Sequence, residues 1–338
     1  MHDLLHQLVF RFRLDAGQAR QLWRLSQLHA RPPALRGWTE GALAAIAALL
    51  LGAGLVFWVA ANWPEQTRAF KLNVLQAAVL LPAVAALALP RLRAVCLLLA
   101  TLALGGLLAF VGQTYQTGAD PWQLFATWAA LALPWMLAAR RALLWAAWLL
   151  LAALALSLWG PPHELATAWP PGHMLLALAG WVLLLALPLG LAGLNLAPRQ
   201  RVRAGGLRWR PAPLLTRVAA LAVLPFWVVL GLMGLVMRDG SALYLICLLL
   251  ALAAYALMAW LRDVVALGLV LLALDVMLVT GLGYTLLSDM RETTSALLLG
   301  VLVSAGCLGA SVALLARHQR QWQAEENETN EPREGARA

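Results

Sequence analysis

The sequence predicts an all-α, polytopic transmembrane helix bundle of about ten spans, with both termini cytoplasmic and a short cytosolic N-terminal helical arm. Three observations carry this. Of 338 residues, 62% are hydrophobic and 12% are charged, against about 25% charged in ordinary soluble domains, so a water-facing surface cannot be assembled from this composition. The apolar residues fall into ten runs, each near the length of about 20 residues that a helix rising about 1.5 Å per residue needs to cross about 30 Å of hydrocarbon. All but four of the 25 Lys and Arg residues fall on alternate connections, the asymmetry expected when inner loops retain positive charge.

The chain opens on a basic, amphipathic arm, residues 1–39. Leu4, Leu5, Leu8, Val9 and Phe12 share one helical face. After a cap at Asp15, Ala19, Leu22, Trp23 and Ser26 continue at helical spacing. Arg31-Pro32-Pro33 ends that second helix. Such an arm can lie on the inner leaflet, dock on the protein's own loops, or hold a partner helix. No cleavable signal peptide is visible, and the first apolar run is expected to act as an uncleaved anchor.

The spans of the bundle, residues 40–316, are expected at 41–61, 70–89, 94–111, 122–138, 142–159, 173–196, 217–237, 242–261, 264–285 and 294–316. With the amino terminus inside, only Arg68, Lys71, Arg238 and Arg291 lie outside. The net charge of +9 is then a topology signal and an attraction to anionic lipid, and nucleic acid need not be invoked. Cys96, Cys247 and Cys307 sit inside apolar runs without metal spacing and are expected to pack as small hydrophobes. Pro82, Pro134, Pro188 and Pro225 predict kinks. The longest internal connection, 196–214, is strongly basic and divides the spans about five and five, an arrangement that inverted-repeat transporters use. No residue-level repeat accompanies it. Residues 317–338 are expected to form a disordered cytosolic tail, because 323–338 holds five Glu and almost nothing apolar.

Polar side chains collect in two outward connections. The first is Asn62-Trp63-Pro64-Glu65-Gln66-Thr67-Arg68, followed by Lys71 and Asn73. The second runs Gly112-Gln113-Thr114-Tyr115-Gln116-Thr117-Gly118-Ala119-Asp120. The helical arm, the Trp58-Val59-Ala60-Ala61-Asn62-Trp63 ending of the first span and this second motif resemble an uncharacterised family of bacterial predicted membrane proteins, domain of unknown function 2157. The resemblance spans roughly residues 5–155. It implies a multi-pass protein of the bacterial cytoplasmic (inner) membrane and brings no substrate, reaction or catalytic residue.

Physically, Gln113, Tyr115, Gln116 and Asp120 can line an outward-facing polar pocket, with Arg68 and Lys71 supplying positive charge for a small polar or anionic ligand. The same residues also suit caps and turns: Asn62 as a helix end, Trp63 in the headgroup belt, Asp120 as a cap before Pro121, and Gly118 at a positive φ. Asp275 falls near the middle of the ninth span, where a carboxylate costs about 3 kcal/mol or more. It should face the bundle interior, neutralised or paired, with Asn73, Gln76 and Asn195 as candidate partners. Arg238-Asp239 and Arg262-Asp263 read as turns with local ion pairs.

Enzymatic readings find little support. His163-Glu164-Leu165-Ala166-Thr167 lacks the second His of a helical zinc pair, no nucleophile elbow occurs, and only Asp275 is deep enough for an intramembrane carboxylate dyad. The sequence thus nominates no catalytic residue, metal ligand or cofactor. It favours a non-enzymatic sensor or assembly protein, with a secondary transporter using Asp275 as the alternative. A membrane enzyme acting on a lipid-linked substrate through Glu65, Glu164 or Asp120 is the remote third.

Overall fold

A computed structural model describes residues 15, 17–18, 33–61, 66–115, 118, 120–159, 171–201, 209–236, 241–289 and 293–330. Ten long helices occur among them: α1 (Pro33–Ala61), α2 (Arg68–Ala88), α3 (Arg93–Tyr115), α4 (Pro121–Ala139), α5 (Ala142–Leu158), α6 (Pro171–Gly193), α7 (Pro213–Val236), α8 (Ser241–Leu261), α9 (Val264–Asp289) and α10 (Thr293–Asn330). Each overlaps one expected span. Nine are long and apolar enough to cross a bilayer, and α5, at 17 residues, is the short one. Two strands, β1 (Arg199–Arg201) and β2 (Trp209–Pro211), pair antiparallel with Gln200 opposite Arg210, so the basic connection is a hairpin.

The chain divides into two units, Met1–Pro64 and Glu65–Ala338. In the first, α1 begins with proline at its first position, where the missing N–H is no loss. At Asp15 the backbone N–H donates to Gln18 Oε1 at 3.1 Å, the return half of a capping box at the point where the arm's second helix was expected to begin. The rest of the arm's expected helices lies outside the described residues.

In the second unit, turns of a few residues join α2 to α3, α4 to α5 and α8 to α9, so these pairs run antiparallel. Left-handed residues that are not glycine follow α4, α6 and α8: Arg140 at φ 50°, Asn195 at 57° and Arg262 at 54°. After α6, Leu196 N–H reaches Leu191 O at 2.8 Å while Asn195 N–H reaches Ala192 O. After α8, Asp263 and Arg262 repeat that pair of bonds to Met258 and Ala259, the six-to-one and five-to-two closure that satisfies terminal carbonyls. Arg93 Nε donates to Ala86 O in the last turn of α2, placing a cation against the negative end of that helix. Pro82, Pro134, Pro188 and Pro225 all lie inside helices, as expected.

Helix α7 is the hub, packing on α5, α6, α8 and α9, while α3 and α4 join through α5. The core runs along these helices, from Leu149 of α5 through Trp181, Val223 and Met258 to Val270 and Met277 of α9. Where α3 meets α4, a Cβ at Gly105 would overlap the Trp128 ring, a close approach that only glycine permits. Tryptophan N–H groups stitch the helices together: Trp128 Nε1 donates to Thr101 O at 2.7 Å, Trp135 to Thr101 Oγ1 at 3.0 Å, Trp148 to Ala129 O at 2.8 Å and Trp145 to Leu196 O at 2.9 Å. Outside, large side chains such as Leu80, Leu81, Leu183, Leu249 and Leu302 stand exposed along the spans, a surface that lipid tails accommodate and water does not.

Two expectations need correction. The segment expected to be a disordered tail from residue 317 is helical to Asn330. Tyr255 Oη and His318 Nε2 meet at 2.8 Å, His318 stacks on Trp322, and Arg262 pairs with Glu325, so contacts with α8 hold what composition alone would leave loose. The ion pairs at the α8–α9 turn are also not local. Asp263 instead binds Arg217 of α7, with Nε 3.1 Å from Oδ1, because Asp263 Oδ1 also caps α9 through the N–H groups of Val265 and Ala266 and so faces α7.

Candidate functional site

The expected outward residues gather at one end of α2, α3 and α4. Thr67 caps α2 by accepting from Phe70 N–H at 3.3 Å, which fixes Arg68 at its first position and Lys71 one turn on. Since α2 and α3 are packed antiparallel neighbours, Gln113 and Tyr115 at the end of α3 stand beside them. Asp120 precedes α4 in extended conformation with Pro121 at the first helical position. Its carbonyl accepts from Gln123 N–H at 3.0 Å, while its carboxylate makes no capping bond. Gly118 has the expected positive φ, 63°.

Burial separates these residues. Lys71 is only 8% exposed, whereas Arg68, Gln113 and Asp120 are exposed and Tyr115 is 62% so. No side-chain hydrogen bond links Arg68, Gln113, Tyr115 and Asp120 to one another among the described residues. Gln116, Asn62, Trp63 and Glu65 lie outside those residues, as does the His163-Glu164 segment. Arg68 and Lys71 at the start of α2, Gln113 and Tyr115 at the end of α3 and Asp120 before α4 thus share one end of these helices, with Lys71 the buried member.

Asp275 is buried at 7% exposure, twelve residues into α9. Its Oδ1 accepts from Ser311 Oγ of α10 at 2.9 Å. Its Oδ2 is buried with no hydrogen-bond partner among the described residues. The partner is thus Ser311, a residue that sequence reading did not single out; Asn73 and Gln76 are exposed on α2, and Asn195 serves as the left-handed end of α6. A serine in a small-residue apolar run gave only a weak signal, since nothing in one helix's spacing says which side chain of another it will meet. The free cysteines Cys96, Cys247 and Cys307 remain within helices, with Cys247 fully buried in the core. Among the described residues no cluster of three His, Cys, Asp or Glu side chains is placed to hold a metal ion.

The long apolar helices, their exposed leucine surfaces and an acid buried at mid-span define a polytopic integral membrane protein. Residues 6–145 match the model of a family described as predicted membrane protein (DUF2157). That stretch holds both polar motifs and ends early in α5, and it is the part of the chain over which the resemblance seen in the sequence holds. No curated protein and no solved structure matches the chain.

Proposed function

We propose that this chain is a non-enzymatic membrane protein of the sensing or assembly type, which receives a small polar or anionic ligand at the outward rim formed by Arg68, Lys71, Gln113, Tyr115, Gln116 and Asp120. The observation that carries this reading is the placement of two cations, Arg68 exposed and Lys71 buried one turn on, at the start of a helix whose packed antiparallel neighbour ends in Gln113 and Tyr115. Positive charge beside amide and phenol groups suits an anionic ligand, which can accept charge-assisted hydrogen bonds there. The outward orientation rests on the arginine bias, and the bacterial inner membrane on the family resemblance.

The test is thermal unfolding of the detergent-solubilised protein against a panel of small carboxylates and phosphates. A ligand at a hundred times its dissociation constant stabilises by about 2.7 kcal/mol, which shows as a rise in Tm. Lys71→Met is expected to abolish that rise, and Arg68→Gln to reduce it. A rise that survives both substitutions would refute the rim as the ligand site.

A second reading, a secondary transporter using Asp275, is favoured by one specific feature: the open Oδ2 at mid-span. Buried intramembrane carboxylates commonly mark solute or ion paths. Against it, other polar groups buried in the bundle spend their bonds on structure, as Thr101 does with Leu97, Trp128 and Trp135, and Tyr244 with Met277 O. Solute and cation flux in proteoliposomes decides: flux lost in Asp275→Asn supports coupling through this acid, and flux equal to that of the native chain removes it.

A further inference from the structure

At the arginine-rich end, the hairpin, the first turn of α7 and the α8–α9 turn enclose a polar hollow of about 170 Å³ lined by Gln200, Arg210, Thr216, Arg217, Arg262 and Asp263. Directly along the same helices an apolar groove of about 350 Å³ opens between Leu221, Pro225 and Val228 of α7 and Leu269, Leu272 and Val276 of α9. The two share no lining residue but lie in line along α7 and α9. Arg217, Leu221, Leu224 and Val228 follow one another at spacings of three or four along one face of α7, and Leu269, Leu272 and Val276 do the same on α9. We propose that hollow and groove together hold one anionic glycerophospholipid, its phosphate at the arginines and an acyl chain in the groove.

The charge balance selects the headgroup. Arg210, Arg217 and Arg262 line the hollow with Asp263, Glu325 pairs with Arg262 from α10, and the 196–214 connection that carries the hairpin holds five arginines and no acid. Asp263 engages Arg217 through Nε alone. The guanidinium's remaining N–H donors make no bond among the described residues, and its side chain is 46% exposed. A phosphate diester matches that fork of donors, since paired N–H groups bind phosphate oxygens with directional, charge-assisted hydrogen bonds. Basic pockets between membrane helices are the usual seat of anionic headgroups.

The groove selects the tail. Leu221 at 60%, Leu272 at 52% and Val276 at 41% exposure line its rim, so it opens towards the hydrocarbon. Buried Ala220 and Ala273, lining the same groove, leave its floor low. Pro225 adds a second cause, because a proline inside a helix bends it and prevents close packing along that side. A free anion would use only the upper part of this site, and a zwitterionic lipid would bring an ammonium group into an arginine-lined hollow.

The test is native mass spectrometry of the full chain in detergent, titrated with phosphatidylglycerol, with phosphatidylcholine of identical chains, and with phosphatidylglycerol in the presence of excess inorganic phosphate. Phosphatidylglycerol is expected to bind at least about tenfold more tightly than phosphatidylcholine, and inorganic phosphate is expected not to displace it. Arg217→Gln and Arg210→Gln should each weaken phosphatidylglycerol binding by about tenfold. Leu221→Trp, at an exposed position that leaves every arginine in place, should weaken both lipids by narrowing the groove. Should Arg217→Gln fail to fold because Asp263 loses its partner, Arg210→Gln and Leu221→Trp remain decisive. Equal binding of the two lipids, full displacement by inorganic phosphate, or phosphatidylglycerol binding unchanged in Arg210→Gln and Leu221→Trp would each overturn the proposal. So would a dimer of the native chain that Leu221→Trp dissolves, since a second copy would then occupy the groove.

Discussion

Arg140 and Arg262 hold left-handed backbone that favours glycine, because an L side chain there costs about 1 kcal/mol. Both stand at helix ends that the arginine asymmetry assigns to the inner face. The strain at these turns and the positive charge counted in that asymmetry therefore belong to the same residues. Arg140→Gly separates the two effects. It is expected to raise, by about 1 kcal/mol, the stability of correctly inserted protein measured by denaturant unfolding in detergent, while lowering the fraction of chains with correct topology measured by protease accessibility in membranes. A side chain serving only the turn would show the first change without the second. Residue-scale detail of this kind was partly readable: Gly118 and the Asp120-Pro121 start of α4 follow from local backbone chemistry. The Asp275–Ser311 bond and the Arg217–Asp263 pair join residues 36 and 46 positions apart, and no local rule selects them.

The element most changed from its sequence expectation is α10. Its composition turns hydrophilic after residue 316, yet the helix continues because Tyr255, His318 and Trp322 form one contact and Arg262 with Glu325 another. Tertiary anchoring overrides composition there, as it commonly does for helices of marginal intrinsic stability. The Tyr255–His318 hydrogen bond is the stronger anchor, since Glu325 is about half exposed and exposed ion pairs contribute about 0–1 kcal/mol. His318→Ala should release the extension by about 1 kcal/mol, so trypsin cleavage after Arg320 should run about fivefold faster, with the spans unaffected. Glu325→Gln should change it little. Apart from the start of α1 and the end of α10, the helices were readable to within a few residues, because hydropathy is summed over twenty positions and a single misjudged residue scarcely moves the total. The hairpin in the basic connection was not, since two three-residue strands carry too little pattern.

Among the described residues, four tryptophans supply hydrogen bonds that join separate parts of the bundle. The chain has 16 of these residues, and Trp128, Trp135, Trp145 and Trp148 each direct an indole N–H into a neighbouring part of the fold. All four lie on α4 and α5, the pair that connects α3 to the hub α7. Hydropathy cannot reveal such bonds, because it scores an indole in a headgroup belt and one hydrogen-bonded inside the bundle alike. The pattern gives the molecule an intrinsic optical gauge. When α4 and α5 separate from their neighbours, these chromophores pass from a dry, carbonyl-bonded setting to a hydrated one, and their fluorescence emission should move to longer wavelength before circular dichroism registers any loss of helix.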